Sequence, residues 1–335
     1  MADLDQELTQ LPDLRSLQSI FMGGGTPSLF SAASLENLLQ GISQRLSLSK
    51  DCEITLEANP GTVEAAKFAD FKRIGINRLS IGIQSFNDQH LQALGRIHNA
   101  EEAKQAIGIA KAAGFNNFNL DLMFGLPEQT LEQGLKDIET AISFQPSHIS
   151  FYQLTLEPNT YFYRYPPVLP EDDDLYSLQK ACQDQLAAYG YQQYEISAYA
   201  KPGKQARHNL NYWRFGDYLG IGAGAHGKLS LQLPDNILRT SKPKNPEQYL
   251  AGLPGNRERI LTEQLPLEYV MNQLRLKSGF SEQDFIQMTG LPMSALQPAL
   301  AECLQSGLLT EVAEQIRCSE RGWDFLDEIL QRFYV

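Results

Sequence analysis

Cysteine is scarce in this chain, and the little there is lies scattered. Cys52, Cys182, Cys303 and Cys318 are the four, and no two are spaced as a C-x-x-C metal loop or a secreted disulfide framework would space them. Free thiols, buried or at the surface, are the expectation. Also missing is any apolar run long enough to span a bilayer. The N-terminus, Met1-Ala2-Asp3-Leu4-Asp5, has neither the basic start nor the apolar core of a secretory leader. A cytoplasmic location with no membrane span is therefore expected, peripheral contact aside. Positive charge is in short supply as well: 28 Lys and Arg stand against 40 Asp and Glu, a net charge of −12. That balance argues against broad binding to nucleic acid or anionic lipid and leaves room only for a local basic pocket. Finally, no G-x-G-x-x-G opens a helix after the first strand, so the dinucleotide-binding fingerprint is absent.

What is present centres on Ser19-Ile20-Phe21-Met22-Gly23-Gly24-Gly25-Thr26-Pro27-Ser28. A short apolar run ends in three glycines, which remove every Cβ where strand becomes loop and let a ligand approach the backbone. Thr26 or Ser28 is placed to cap a following helix, with Pro27 in its first turn. Apolar strands that end in polar residues then recur down the chain: Glu53–Gly61, Arg78–Phe86, Phe118–Met123 and His148–Leu154, with Glu57, Gln84, Asp121 and Gln153 at or near their C-terminal ends. Helical patterns lie between them, near 32–47, 62–73, 87–94, 100–113 and 130–143, and a helix fragment covers 1–16. This βα repeat implies a parallel sheet with helical crossovers. In such folds, side chains from several strands converge at the C-terminal rim, where ligands bind. A barrel or part-barrel is the architecture expected.

Beyond residue 165 the chain changes character. Prolines and the acidic run Glu171–Asp174 lead into a helix ending near Ala188, and residues 191–230 are rich in aromatics and glycine. For the Gly-x-Gly-x-Gly stretch at 220–224, close strand packing is the reading. From about 262 the pattern is helix, short helix, helix, a hairpin over Leu308–Cys318, and a last helix, in the manner of a winged-helix module. Residues 262–335 carry eleven acidic and five basic side chains, so a docking or structural module is expected there rather than a DNA reader.

Two sets of residues could carry chemistry. Glu57, Gln84, Arg96 and Asp121 could together hold an amino-acid-bearing nucleoside: one carboxylate for the amino group, another for paired ribose hydroxyls, the guanidinium for a carboxylate. The bland alternative makes them salt-bridge partners on the barrel rim. His208 and His226 flank the aromatic Tyr212-Trp213 pair and the glycine run, a setting that suits a flat macrocycle with an imidazole ligand, or simply a hydrogen-bonded structural histidine. His90, His98 and His148 give no usable signal.

GGGTPS at 23–28, EANPGTVE at 57–64, NRLSIGIQSF at 77–86, LGRIH at 94–98, NLDLMFGLPEQT at 119–130 and HNLNYWRFGDYLGIGAGAHG at 208–227 together resemble the radical S-adenosylmethionine proteins of the oxygen-independent coproporphyrinogen III oxidase type. The HNLNYW segment is similar to the haem chaperone branch of that family. The resemblance implies an α/β fold, a partial (β/α)6 radical-SAM-type barrel over 1–165 with its first strand missing. A connecting region over 166–260 and a HemN-type C-terminal domain with a winged-helix-like module over 261–335 would follow. It implies that Gly24, Gly25 and Thr26 form the methionine-binding loop, that Glu57, Gln84, Arg96 and Asp121 complete an S-adenosylmethionine site, and that His208 is a haem ligand. The cofactors implied are S-adenosylmethionine, haem and a [4Fe–4S] cluster; the partners are haem and haem-accepting proteins.

One departure from the family pattern stands out. The cluster-binding C-x-x-x-C-x-aromatic-C loop belongs before GGGTP, yet no cysteine here precedes Cys52. A start placed too late, or a truncated chain, would explain the missing loop and the missing first strand together; a degenerate member that never binds the cluster is the alternative. As written, the polypeptide is not expected to cleave S-adenosylmethionine reductively. A haem chaperone is the leading functional expectation. Coproporphyrinogen III oxidation in porphyrin biosynthesis comes second, and a docking protein with an inactive barrel third.

Overall fold

In the computed structural model, residues 1–11, 15–61 and 65–334 are described. They form two compact units: Leu17–Arg207, and Met1–Ser16 together with His208–Val335.

The first unit is built on one seven-stranded sheet whose first five strands follow sequence order. The strands β1 (Leu17–Met22), β2 (Leu48–Ala58), β3 (Arg78–Gln84), β4 (Phe118–Phe124) and β5 (His148–Gln153) pair in parallel in sequence order. They form a half-barrel, as the repeat of strands and helices predicts. Two short strands, β6 (Gln192–Glu195) and β7 (Ala198–Ala200), extend the sheet antiparallel beyond β5. No strand was expected there, because three- and four-residue strands carry too little alternation to be seen.

Period-two alternation sorts each strand into two faces. Leu56, Leu79, Ile81, Leu120, Leu122, Ile149 and Phe151 turn outward into a core shared with Ile107 and Ala110 of the helix Ala100–Ala112 and Ile138 and Ala141 of the helix Leu131–Ser143. The alternate positions run polar: Thr55 and Glu57 on β2, Ser80 and Gln84 on β3, Asn119 and Asp121 on β4, His148, Ser150 and Tyr152 on β5. Register sets them side by side, with Ser80 opposite both Glu57 and Asn119, His148 opposite Asn119, and Ser150 opposite Asp121.

Helix starts follow local sequence chemistry. Asn99 and Thr130 each close a capping box, with Glu102 and Gln133 reaching back. After the glycine loop the expectation needs correcting. Pro27–Leu29 is one turn of 3-10 helix with no side-chain cap from Thr26, and the helix Ala32–Ser43 is capped instead by Ser31, whose Oγ accepts from the Ser34 N–H. Helix expected over 1–16 is observed at Ala2–Leu8 and that over 62–73 at Phe68–Arg73; positions 12–14 and 62–64, including the end of the EANPGTVE motif, lie outside the described residues.

In the second unit, β8 (His226–Gln232), β9 (Asn236–Ser241) and β10 (Asn256–Ile260) form an antiparallel sheet. The N-terminal helix Ala2–Leu8 joins it through ion pairs: Lys242 Nζ reaches Asp3 at 2.6 Å and buried Glu7 at 2.5 Å, and Arg257 reaches Glu7 at 3.1 Å. Close approach in the glycine run is real at Gly220, where a Cβ would lie 2.1 Å from the His226 carbonyl oxygen. The C-terminal pattern is as expected: helices Leu265–Gln273, Glu282–Thr289 and Ala299–Gln305, the hairpin β11 (Leu309–Val312) and β12 (Gln315–Cys318), then two short helices, Glu320–Asp324 and Leu326–Gln331, in place of one. No helix among the described residues is long and apolar enough to cross a membrane.

Candidate functional site

At the C-terminal ends of the parallel strands lies a cavity of about 260 Å³, lined by Gly25, Thr26, Glu57, Gln84, Arg96 and Asp121, together with Asn59, Ser80, Gly82 and Tyr152. Six of the eight site residues expected from sequence thus meet in one place. Gly24, a seventh, forms the adjoining wall: its N–H donates to Glu57 Oε2 at 3.0 Å. Glycine keeps the preceding position open, since a Cβ on Gly23 would stand 2.5 Å from the Phe21 ring and 2.9 Å from Glu57 Cδ, and both side chains would have to shift. Gly24 and Gly25 take φ values of 78° and 59°, turning the loop back over the strand end.

Arg96 comes from the loop after Asp88–Ala93. Its Nη2 donates to Asn59 Oδ1 at 2.8 Å, and Asn59 Nδ2 in turn faces Thr26 Oγ1 at 3.4 Å. Asn59 therefore ties the guanidinium to the glycine loop. Gln84 sits at φ 71° where β3 ends, and its Oε1 accepts from the Tyr152 hydroxyl at 2.7 Å. The turn beyond it is pinned from beneath by Asp137, which accepts from Ser85 Oγ at 2.6 Å and from the Phe86 N–H at 2.8 Å.

Both carboxylates at the cavity are strained towards their neutral forms. Burial raises the Glu57 pKa; the Gly24 N–H works against this and the Asp121 charge adds to it. Asp121 is also raised by burial, opposed by hydrogen bonds from Asn119 and Ser80 and by the charge of buried Arg78. A cation brought beside either carboxylate would favour its charged form again.

Three corrections concern side chains. Gln153, expected at the rim, is exposed, and Tyr152 takes the place facing the cavity: a shift of one residue changes the face. Asn59 lay in the quoted EANPG motif but was not singled out; an Asn-Pro pair closing a strand was the available signal. His148, which offered no signal, is buried beneath the cavity. His208 belongs to the other compact unit, on the helix Arg207–Trp213, where it is 8% exposed with its ring edge-on to Tyr212; His226 is exposed at the start of β8.

Set against known proteins, the chain is 49% identical over 334 residues to the heme chaperone HemW of Escherichia coli, an alignment spanning 99% of this chain and 87% of that one. The chain belongs to the HemW family. HemW of Haemophilus influenzae is 50% identical over 337 residues, 99% of this chain and 88% of that protein, and the mitochondrial radical S-adenosyl methionine domain-containing protein 1 of Bos taurus is 33% identical over 97% of this chain and 77% of its own length. Residues 1–141 match the radical SAM superfamily and 261–325 the HemN C-terminal domain. Among solved structures, coproporphyrinogen III oxidase (HemN) of Escherichia coli superimposes with a TM-score of 0.78 at 20% identity, covering 95% of this chain and 78% of that one, a likeness of fold.

For the HemW family, radical SAM kinship implies S-adenosylmethionine and a [4Fe–4S] cluster, and the residues present fit these two groups differently. The cavity, with its acceptors, its guanidinium and its Cβ-free loop, fits the nucleoside. The thiols do not fit the cluster. Cys52, Cys182 and Cys303 are buried, and burial raises all four thiol pKa values, Cys182 and Cys318 to about 12. Among the described residues no three His, Cys, Asp or Glu side chains are grouped to hold a metal.

Proposed function

We propose that this chain is a haem-handling protein of the chaperone type, binding haem and S-adenosylmethionine and passing haem to acceptor proteins in the cytoplasm. The observation that carries the nucleoside site is the convergence of Glu57, Gln84, Arg96 and Asp121 on one cavity beside Gly25 and Thr26. Glu57 receives the amino group of S-adenosylmethionine, Asp121 its ribose hydroxyls and Arg96 its carboxylate, while the Gly24-Gly25-Thr26 loop takes the methionine portion. Bound there, S-adenosylmethionine supplies an activated adenosyl group; the residues of this chain bind and orient it. The haem half of the reading rests on near full-length kinship to proteins named heme chaperones, with His208 as the proposed ligand.

Titrating the purified protein with haemin tests this. A saturable Soret shift that weakens in His208→Ala supports the reading, and a shift lost only in His226→Ala moves the ligand to the exposed histidine. No shift, together with turnover of coproporphyrinogen III when S-adenosylmethionine and a reductant are supplied, replaces the chaperone with the oxidase.

A further inference from the structure

Beneath the cavity, side chains from four strands form one hydrogen-bonded line. Asn119 Nδ2 donates to Asp121 Oδ1 at 2.8 Å and to Ser80 Oγ at 2.7 Å, and Ser80 Oγ donates on to Asp121 Oδ2 at 3.1 Å. The Asn119 amide oxygen faces the other way, accepting from Ser150 Oγ at 3.1 Å and lying 2.7 Å from His148 Nδ1. His148 Nε2 lies 2.9 Å from the Tyr194 hydroxyl on β6. Asn119 and His148 are 2% and 1% exposed.

With Asp121 ionised, the directions in this line are fixed by chemistry. Were the Asn119 amide turned over, its oxygen would face a carboxylate oxygen, acceptor against acceptor. With Nδ2 on Asp121, Oδ1 must face His148, and an amide oxygen only accepts. Nδ1 of His148 therefore carries the proton, and in a neutral ring Nε2 accepts from the Tyr194 O–H. Every bond from Tyr194 to Asp121 points the same way.

We propose that His148, locked as the Nδ1–H tautomer by Tyr194, is a positioning residue that sets the Asn119 amide and thereby aims the Asp121 carboxylate into the cavity. The proposal rests on the reading of Asp121 as the ribose acceptor. Without the Tyr194 hydroxyl the ring is free to carry its proton on Nε2. Nδ1 then meets the Asn119 oxygen acceptor to acceptor, and the amide turns its oxygen on Asp121. The antiparallel β6–β7 extension acquires a role by this account, since it carries the group at the far end of the line.

The test has two arms. In the first, protein labelled with ¹⁵N-histidine reports the tautomer at neutral pH, the His148 signals being assigned by their loss in His148→Gln. Protonated Nδ1 with an unprotonated Nε2 is expected in wild type and a mixture in Tyr194→Phe; an Nε2–H ring or an imidazolium in wild type overturns the proposal, with or without a ligand. In the second, calorimetric affinity for S-adenosylmethionine is compared in a double-mutant cycle. Tyr194→Phe should raise Kd roughly tenfold, as the loss of one well-placed hydrogen bond does, and have no effect in an Asp121→Ala background. Equal losses in both backgrounds would make the line merely structural and overturn it. Failure of wild type to bind S-adenosylmethionine at all, with the tautomer as expected, instead sinks the reading of the cavity and removes the ligand from this proposal.

Discussion

Glu57 and Asp121 present acceptor oxygens to one cavity, so removing either carboxylate should be costly. Glu57→Ala and Asp121→Ala are each expected to weaken S-adenosylmethionine binding by about 10- to 100-fold, the range for a hydrogen bond to a charged group, and calorimetry checks it; unchanged affinity would dismiss the assignment. Gly23→Ala probes the same wall by steric means. With the Phe21 ring 2.5 Å from the new Cβ, a loss of about 1–3 kcal/mol is expected in urea unfolding. Asp137 gives a pH test. Burial lifts its pKa from 3.8 to about 6, against hydrogen bonds from Ser85 and the Phe86 N–H, so the folded state holds this proton more tightly than the unfolded chain. Its contribution to stability is complete below about pH 4 and is lost as pH rises through 6. In Asp137→Asn that part of the pH dependence, on the order of 1–3 kcal/mol, should vanish from melting curves taken between pH 4 and 7. At this scale the sequence disclosed the rim residues, because polar side chains ending apolar strands are conspicuous. It hid the layer beneath: Ser80, Asn119 and His148 were legible only by counting alternate positions inward along each strand, and most of their partners are on other strands.

Helices and strands emerged from the sequence wherever periodicity was long enough. The helix Asp172–Ala188 and the parallel strands needed no tertiary information, whereas β6 and β7 are short. β10, with the sequence Asn-Arg-Glu-Arg-Ile and four exposed residues, is an edge strand whose charges conceal it from any hydrophobic pattern while discouraging unwanted pairing. Capping is the element-scale feature most open to experiment. Asn99 starts Ala100–Ala112 through a reciprocal box with Glu102, three residues after Arg96. Asn99→Ala should cost about 1 kcal/mol, seen as a lower urea midpoint, and faster amide exchange across the first turn should accompany it.

The two compact units are threaded differently. Leu17–Arg207 is continuous, whereas the other is assembled from both ends of the chain. Glu7, buried between Lys242 and Arg257, and Asp3, which accepts from the Tyr249 hydroxyl at 2.8 Å, fasten the first helix to the sheet β8–β10. Deleting residues 1–8 is expected to speed amide exchange in β8–β10 while β2–β5 stay protected and S-adenosylmethionine affinity is kept; uniform acceleration across both would contradict this. The same threading sets an order of events during synthesis. The helix Ala2–Leu8 leaves the ribosome before the half-barrel does, yet the lysine and arginine it must meet are encoded more than two hundred residues later. The half-barrel can be finished in the interval, so a helix made before it is seated only after it.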